Sequence, residues 1–194
     1  MQIDKVIYRK ANLNDSIAEI TRAIYLTDDY IYPALHNIYE EFLDCIRESL
    51  IDKNSVFCID NLLVAEYEGK IIALACVIKG KKDYHFCDKY SQNYSIVNDG
   101  YFKPLCDEAK KTQGYIVVNF CVLPEYRGNG VSTGLITYIT RLFGENDIYL
   151  AVILDNRIAV HVYEKAGFIT ECEYNGFTSE KNKTLPCLKM KYSK

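Results

Sequence analysis

Arg127-Gly128-Asn129-Gly130, followed at once by Val131 and Ser132, sets a cation and two glycines where an apolar run gives way to a helical pattern. A strand that turns tightly into a helix makes an anion cradle. The first amides of the helix have no internal partners, and the helix dipole favours negative charge there. Gly128 and Gly130 carry no Cβ to keep a phosphate from the backbone, and Arg127 adds a cation beside it. That chemistry suits a pyrophosphate, although the same spacing also serves a plain strand-to-helix turn. Two other phosphate loops fit less well. No Lys follows Gly130 as a Walker A loop needs, and Gly128, Gly130, Thr133 breaks the G-x-G-x-x-G of a dinucleotide fold.

The elements that must position this turn are legible from pattern. The run "GYIVVNFCVL" before it reads as a strand buried on both faces, and Val131, Leu135, Ile139 and Leu142 line one side of the helix after it. "DIYLAVIL" reads as another buried strand, and "NRIAVHVYEKAGF" as a short helix stopped by Gly167. "FITECEY" and "LPCLKMKYS" close the chain with two more strands. Towards the N-terminus, Val6 to Ala11 is a short strand, and Asn14 or Asp15 caps a helix with Ile17, Ile20 and Ile24 on one face. After Pro33 the helical period resumes from Ala34 to Leu50, and Glu68-Gly69-Lys70 turns a hairpin. Lys79 to Gln113 is irregular apart from a short helix expected over Tyr101 to Lys111. A connection of that length is functional or mobile.

Composition narrows the classes. A chain of 194 residues, nearly half apolar and a quarter charged, suits one well-buried domain, residues 1–194, with no repeat or linker. A net charge of −3 gives no footprint for nucleic acid or an anionic membrane. The start "MQIDKVIYRKANLND" has no basic segment leading into an apolar one, and no stretch nears the roughly 20 apolar residues of a membrane span, so the cytoplasm is the expected location. The eight cysteines form no C-x-x-C pair and sit mostly in apolar runs, as small core residues of a reducing compartment do. His36, His85 and His161 supply no zinc spacing, so no metal is expected.

Two ordered motifs carry a resemblance. Phe120-x-Val122-x-Pro124-x-Tyr126-Arg127-Gly128-x-Gly130 lies on the strand-to-helix turn. After the next strand comes Asn156-x-x-Ala159-x-x-x-Tyr163-Glu164-Lys165-x-Gly167-Phe168. In this order and spacing the chain resembles the GCN5-related N-acetyltransferase (GNAT) superfamily from about Tyr115 to Phe168; the residues before agree only in element order. Ser132 stands where many members carry a third Gly or Ala.

The resemblance implies an α/β (α+β) fold: a mixed, mostly antiparallel sheet, splayed at its centre, with helices on both faces. It implies acetyl-CoA as cosubstrate and an amine acceptor as partner; a homodimer stays open. The strand residues Phe120, Cys121 and Val122 would pair through their backbone with pantetheine. The amides from Arg127 through Gly128, Asn129, Gly130 and Val131 to Ser132 would hold the diphosphate. Asn156 would bond the pantetheine arm, and Tyr163 would protonate the leaving thiolate.

Direct transfer needs a neutral amine. Removing the proton at pH 7 costs about 4–5 kcal/mol for a lysine-like group and about 1–1.5 for an α-amino group. The glutamate that serves one branch of the family as base falls here on Ile116, so Glu66, Glu125 and a water relay through a tyrosine stay open. Tyr30 and Tyr32, within "DDYIYPALH", fall where the family places part of its acceptor wall, although 17 tyrosines make chance an equal account; Lys79 to Lys82 read as a solvated run, with cover for the acceptor side as the other reading. A catalytically silent acyl-CoA-binding module and a longer-chain acyltransferase are the competing readings.

Overall fold

The computed structural model describes residues 1–27, 39–86, 102–178 and 184–194. Seven strands, β1 (Ile7–Lys10), β2 (Leu62–Tyr67), β3 (Lys70–Lys79), β4 (Tyr115–Val122), β5 (Ile148–Ile153), β6 (Ile169–Thr178) and β7 (Thr184–Tyr192), form one sheet. Its order is β1-β2-β3-β4-β5-β7-β6. Only β4 and β5 run parallel; every other neighbour is antiparallel. The helices α1 (Ile17–Tyr25), α2 (Tyr39–Ile51) and α3 (Lys103–Lys111) cover one face. The helices α4 (Val131–Phe143) and α5 (Arg157–Lys165) cover the other.

β3 explains the layering. Its residues Ile71 to Ile78 are all buried, so they feed both faces, and Ile72 and Leu74 fall in different core clusters. On α4 the buried stripe is Val131, Leu135, Ile136 and Ile139, each at most 1% exposed, worth about 1.5–3 kcal/mol apiece for the larger side chains.

A bulge in β4 decides which side chains reach which face. Asn119 pairs with Cys76 and Val117 with Val77, so Val118 is an extra residue. Side chains alternate along a strand, and one inserted residue reverses the alternation beyond it. Val117 packs towards α4 and α5, and past the bulge so do Phe120 and Val122, while Cys121 faces α1.

Several expectations are corrected here. Ser16, not Asn14 or Asp15, caps α1, its Oγ accepting from Glu19 N at 3.3 Å. Asp15 instead accepts from Arg9, which carries the sequence's polar cluster into an ion network. β5 is buried on one face only, through Ile148, Leu150 and Val152, with Ala151 exposed, because it borders the opening described below. Leu142 is exposed, since the α4 stripe turns to Ile136. The hairpin at Glu68-Gly69 and the helix before Gln113 form as expected, the latter over Lys103–Lys111. Six of the cysteines are buried and Cys172 is exposed; Cys87 lies outside the described residues, as do Asp28 to His36 with Tyr30 and Tyr32. Among the described residues, no helix is long and apolar enough to cross a membrane and no group of His, Cys, Asp or Glu is gathered to hold a metal.

Candidate active site

The site is built where β4 leaves β5. Among the described residues β4 pairs with β5 at Tyr115, Ile116 and Val117; from Asn119 to Val122 its ladder runs with β3, while β5 continues along β7. The bulge bends and twists the strand at the point of parting. Between the diverging strands lies a cleft of about 700 Å³, within the roughly 300–1,000 Å³ usual for ligand sites.

One edge of β4 is thus left open. Leu123 N donates to Ile72 O at 2.9 Å, on the β3 side. Backbone groups alternate sides, so those of Val122 turn to the open side, where the Val122 carbonyl accepts from Arg127 Nε at 2.9 Å. Backbone polar groups in a protein interior normally find partners, so an open edge among apolar side chains suits a ligand's own amides.

β4 runs into a single 3₁₀ turn, Pro124–Tyr126, and then into α4. Gly128 and Gly130 take φ of +74° and +78°, the left-handed region that a Cβ disfavours. Gly130 is the N-cap and has no side chain to offer, so the first intrahelical bond is Gly134 N to Gly130 O. Among the described residues, the amides of Gly128 to Thr133 donate to no protein acceptor. A Cβ at Gly128 would meet nothing within 4 Å, so the approach to those amides is clear. Asn129 braces the turn from within, Nδ2 donating to Tyr126 O at 3.2 Å and Arg127 O at 3.0 Å. These groups fit the diphosphate of a carrier such as coenzyme A: main-chain donors, the positive end of a helix, and an exposed arginine.

The opposite wall is α5. Asn156 caps it, Oδ1 accepting from Ala159 N at 3.2 Å, which uses the carbonyl half of the amide and leaves Nδ2 for a ligand. Tyr163, two turns on, is 7% exposed; its ring meets Phe120 edge-on at 5.8 Å and Phe168 at 5.9 Å. Burial raises the phenol pKa, so Tyr163 is held protonated, the state a proton donor needs. Across β4, Cys121 Sγ donates to Leu26 O at 3.4 Å. Burial pushes this thiol up to about 11, against the pull of Arg127, and a neutral thiol is a poor nucleophile.

Every residue expected to bind the carrier lines the cleft except Asn129 and Gly130, and Tyr163 lines it too. The carboxylates left open as bases do not. Glu66 is held by Arg9 at 2.7 Å, and Glu125 by Arg22 at 2.7 Å. Ile116 is buried in the α1–α3 core. Leu26, Thr27, Asp155 and Ile158 also line the cleft and escaped the sequence reading. Ile158 carries a signal that could have found it: an isoleucine off the buried stripe of α5, 82% exposed. Leu26 and Thr27 carry none, because they reach the site only through the docking of α1.

A model of the acetyltransferase (GNAT) family matches residues 17–168. The chain belongs to this family. The GNAT match runs from the start of α1 to the residue after the turn closing α5, and so takes in both walls of the cleft. Among solved structures, an N-acetyltransferase from Staphylococcus aureus Mu50 is similar at 20% identity and a TM-score of 0.68, covering 94% of this chain and 99% of its own. The ribosomal-protein-S18-alanine N-acetyltransferase from Escherichia coli is similar at 13% identity and 0.60, covering 96% and 92%. A spermidine N-acetyltransferase SpeG K23-Q34 chimera from Vibrio cholerae and hSSAT follows at 16% and 0.61, covering 97% and 95%. Identities this low establish the GNAT fold, with its mostly antiparallel sheet and two helical layers. No curated protein matches the sequence.

Proposed function

We propose that this chain is an N-acetyltransferase that moves the acetyl group of acetyl-CoA directly to a primary amine of a small molecule, peptide or protein, the whole chain acting as one unit. The observation that carries this reading is the open edge of β4 running into the unpartnered amides of the turn, with a protonated tyrosine on the opposite wall.

When bound, acetyl-CoA supplies the acetyl thioester. The amides from Gly128 to Ser132 and the exposed Arg127 hold its diphosphate. The open-side backbone of Phe120 to Val122 and the Nδ2 of Asn156 bond its pantetheine arm. The Val122 amide stabilises charge that develops on the reacting carbonyl oxygen. Tyr163 gives its proton to the departing sulfur. Cys121, neutral and tied to Leu26, takes no acetyl group, which favours direct transfer over a covalent enzyme intermediate.

The burial of Ile116, where one branch of the family has its base, favours a second reading: a silent acyl-CoA-binding module. Release of CoA thiol with polyamines, amino acids, aminoglycosides and peptides separates the two. Turnover on any member supports the enzyme; calorimetric binding of acetyl-CoA with no turnover on all of them supports the module. No heat with CoA or acetyl-CoA overturns both.

A further inference from the structure

The turn that carries the unpartnered amides is held from three directions. Two are internal: Arg127 Nε on the Val122 carbonyl, and Asn129 Nδ2 on the carbonyls of Tyr126 and Arg127. The third comes from α1. Arg22 meets Glu125 with two parallel bonds, Nη1 to Oε1 at 2.7 Å and Nη2 to Oε2 at 3.2 Å. Glu125 is the middle residue of the 3₁₀ turn, and Arg127, which flanks the amides, is that turn's C-cap.

Arg22 is equally well placed on its own side. Its carbonyl accepts from Leu26 N at 3.0 Å, one helical turn on, and the Leu26 carbonyl in turn accepts the Cys121 thiol. Leu26 and Thr27 are the α1 contribution to the cleft wall. A closed circuit therefore runs from the end of β4 through Glu125 and Arg22 to Leu26 and back to β4 at Cys121. Both partners are nearly half exposed, at 47% and 46% of their side chains, so the pair adds little to folding stability. What a bidentate fork adds at such a place is geometry.

We propose that Arg22 and Glu125 are positioning residues: a strap that sets the distance between the end of α1 and the diphosphate turn, so that the carrier meets amides already aimed at it. The proposal rests on the carrier reading above. It assigns Glu125 to holding the turn and not to taking a proton from the acceptor. Arg22 keeps that carboxyl below its ordinary range, which suits a held anion better than a base.

Titration calorimetry with coenzyme A at fixed ionic strength tests it on wild type, Arg22→Gln, Glu125→Gln, the double variant, and the swap Arg22→Glu with Glu125→Arg. Each single change weakens CoA binding about two- to five-fold, the scale of an exposed ion pair. The double variant is no worse than either single one, and the swap recovers most of the loss. With any amine accepted in the thiol-release panel, KM for acetyl-CoA rises while kcat and its pH profile stay those of wild type.

A plain field effect overturns the strap and has a different signature: Arg22→Gln weakens binding and Glu125→Gln tightens it. A fall in kcat of about a hundred-fold in Glu125→Gln, on the scale of general-base loss, also overturns it. If wild type binds and all variants match it, the strap alone fails. If wild type gives no heat, the carrier reading fails and takes the strap with it.

Discussion

The two ends of the β4–β5 pair differ in how their backbones are partnered. At the Tyr115 end the strands share a parallel ladder, with Ile148 fully buried beneath it. Beyond Val117 the strands have parted, and five residues past it the backbone of Val122 faces a cleft. The side chains of Tyr115 to Val117 and of Phe120 to Val122 are alike, β-branched or aromatic apart from Cys121. The distinction is therefore one of backbone satisfaction: one end has a strand on either side, and the other keeps an edge open to the cleft. The extra residue at Val118 marks the change.

That contrast can be broken at either end. The largest effect is expected at the open end. Tyr163→Phe keeps the ring against Phe120 and Phe168 and removes only the hydroxyl with its proton, so kcat falls by about a hundred-fold or more while Tm scarcely moves. The same variant has an alkaline signature. The buried phenol's pKa is raised above its ordinary 10, so above that pH the folded state binds more protons than the unfolded one. The stability this group contributes is full below pH 10 and is lost as pH rises. Denaturant melts above pH 10 should therefore fall less steeply with pH in Tyr163→Phe than in wild type. Parallel slopes would place the phenol in water.

At the closed end, Ile148→Ala leaves a cavity under the ladder and costs about 2–5 kcal/mol of stability. Calorimetry on the folded variant should find CoA affinity unchanged, because Ile148 does not line the cleft. A parallel loss of affinity would mean that the two ends are coupled. The smallest effect belongs to the turn. Gly130→Ala meets only Ile3, at 4.0 Å, but must hold φ near +78°, costing about 1–2 kcal/mol. This is read as a lower Tm or weaker CoA binding, and no change in either would mean that the turn accommodates a side chain by moving.

Much of this was legible in one dimension, and for local reasons. The hairpin at Glu68-Gly69, the helix before Gln113, the stop at Gly167 and the tight strand-to-helix turn at Gly128 and Gly130 depend on neighbouring residues and on φ angles that few residue types adopt. Local pattern does not give the N-cap of α1, because Asp15, a good capping residue by type, is drawn off by Arg9 from β1. Nor does it give the exposure of Leu142, because α4's stripe is chosen by the sheet beneath it.

By itself the sequence determined the order of elements, the tight glycine turn between strand and helix, and a resemblance resting on two spaced motifs. Those follow from short-range sterics and periodicity. Only the tertiary structure decided that β4 carries a bulge, that Phe120 therefore meets Tyr163, and that Arg22 reaches Glu125 across 103 positions of chain. Register and contact across a sheet are set by packing many distant side chains at once, and no local pattern encodes that sum.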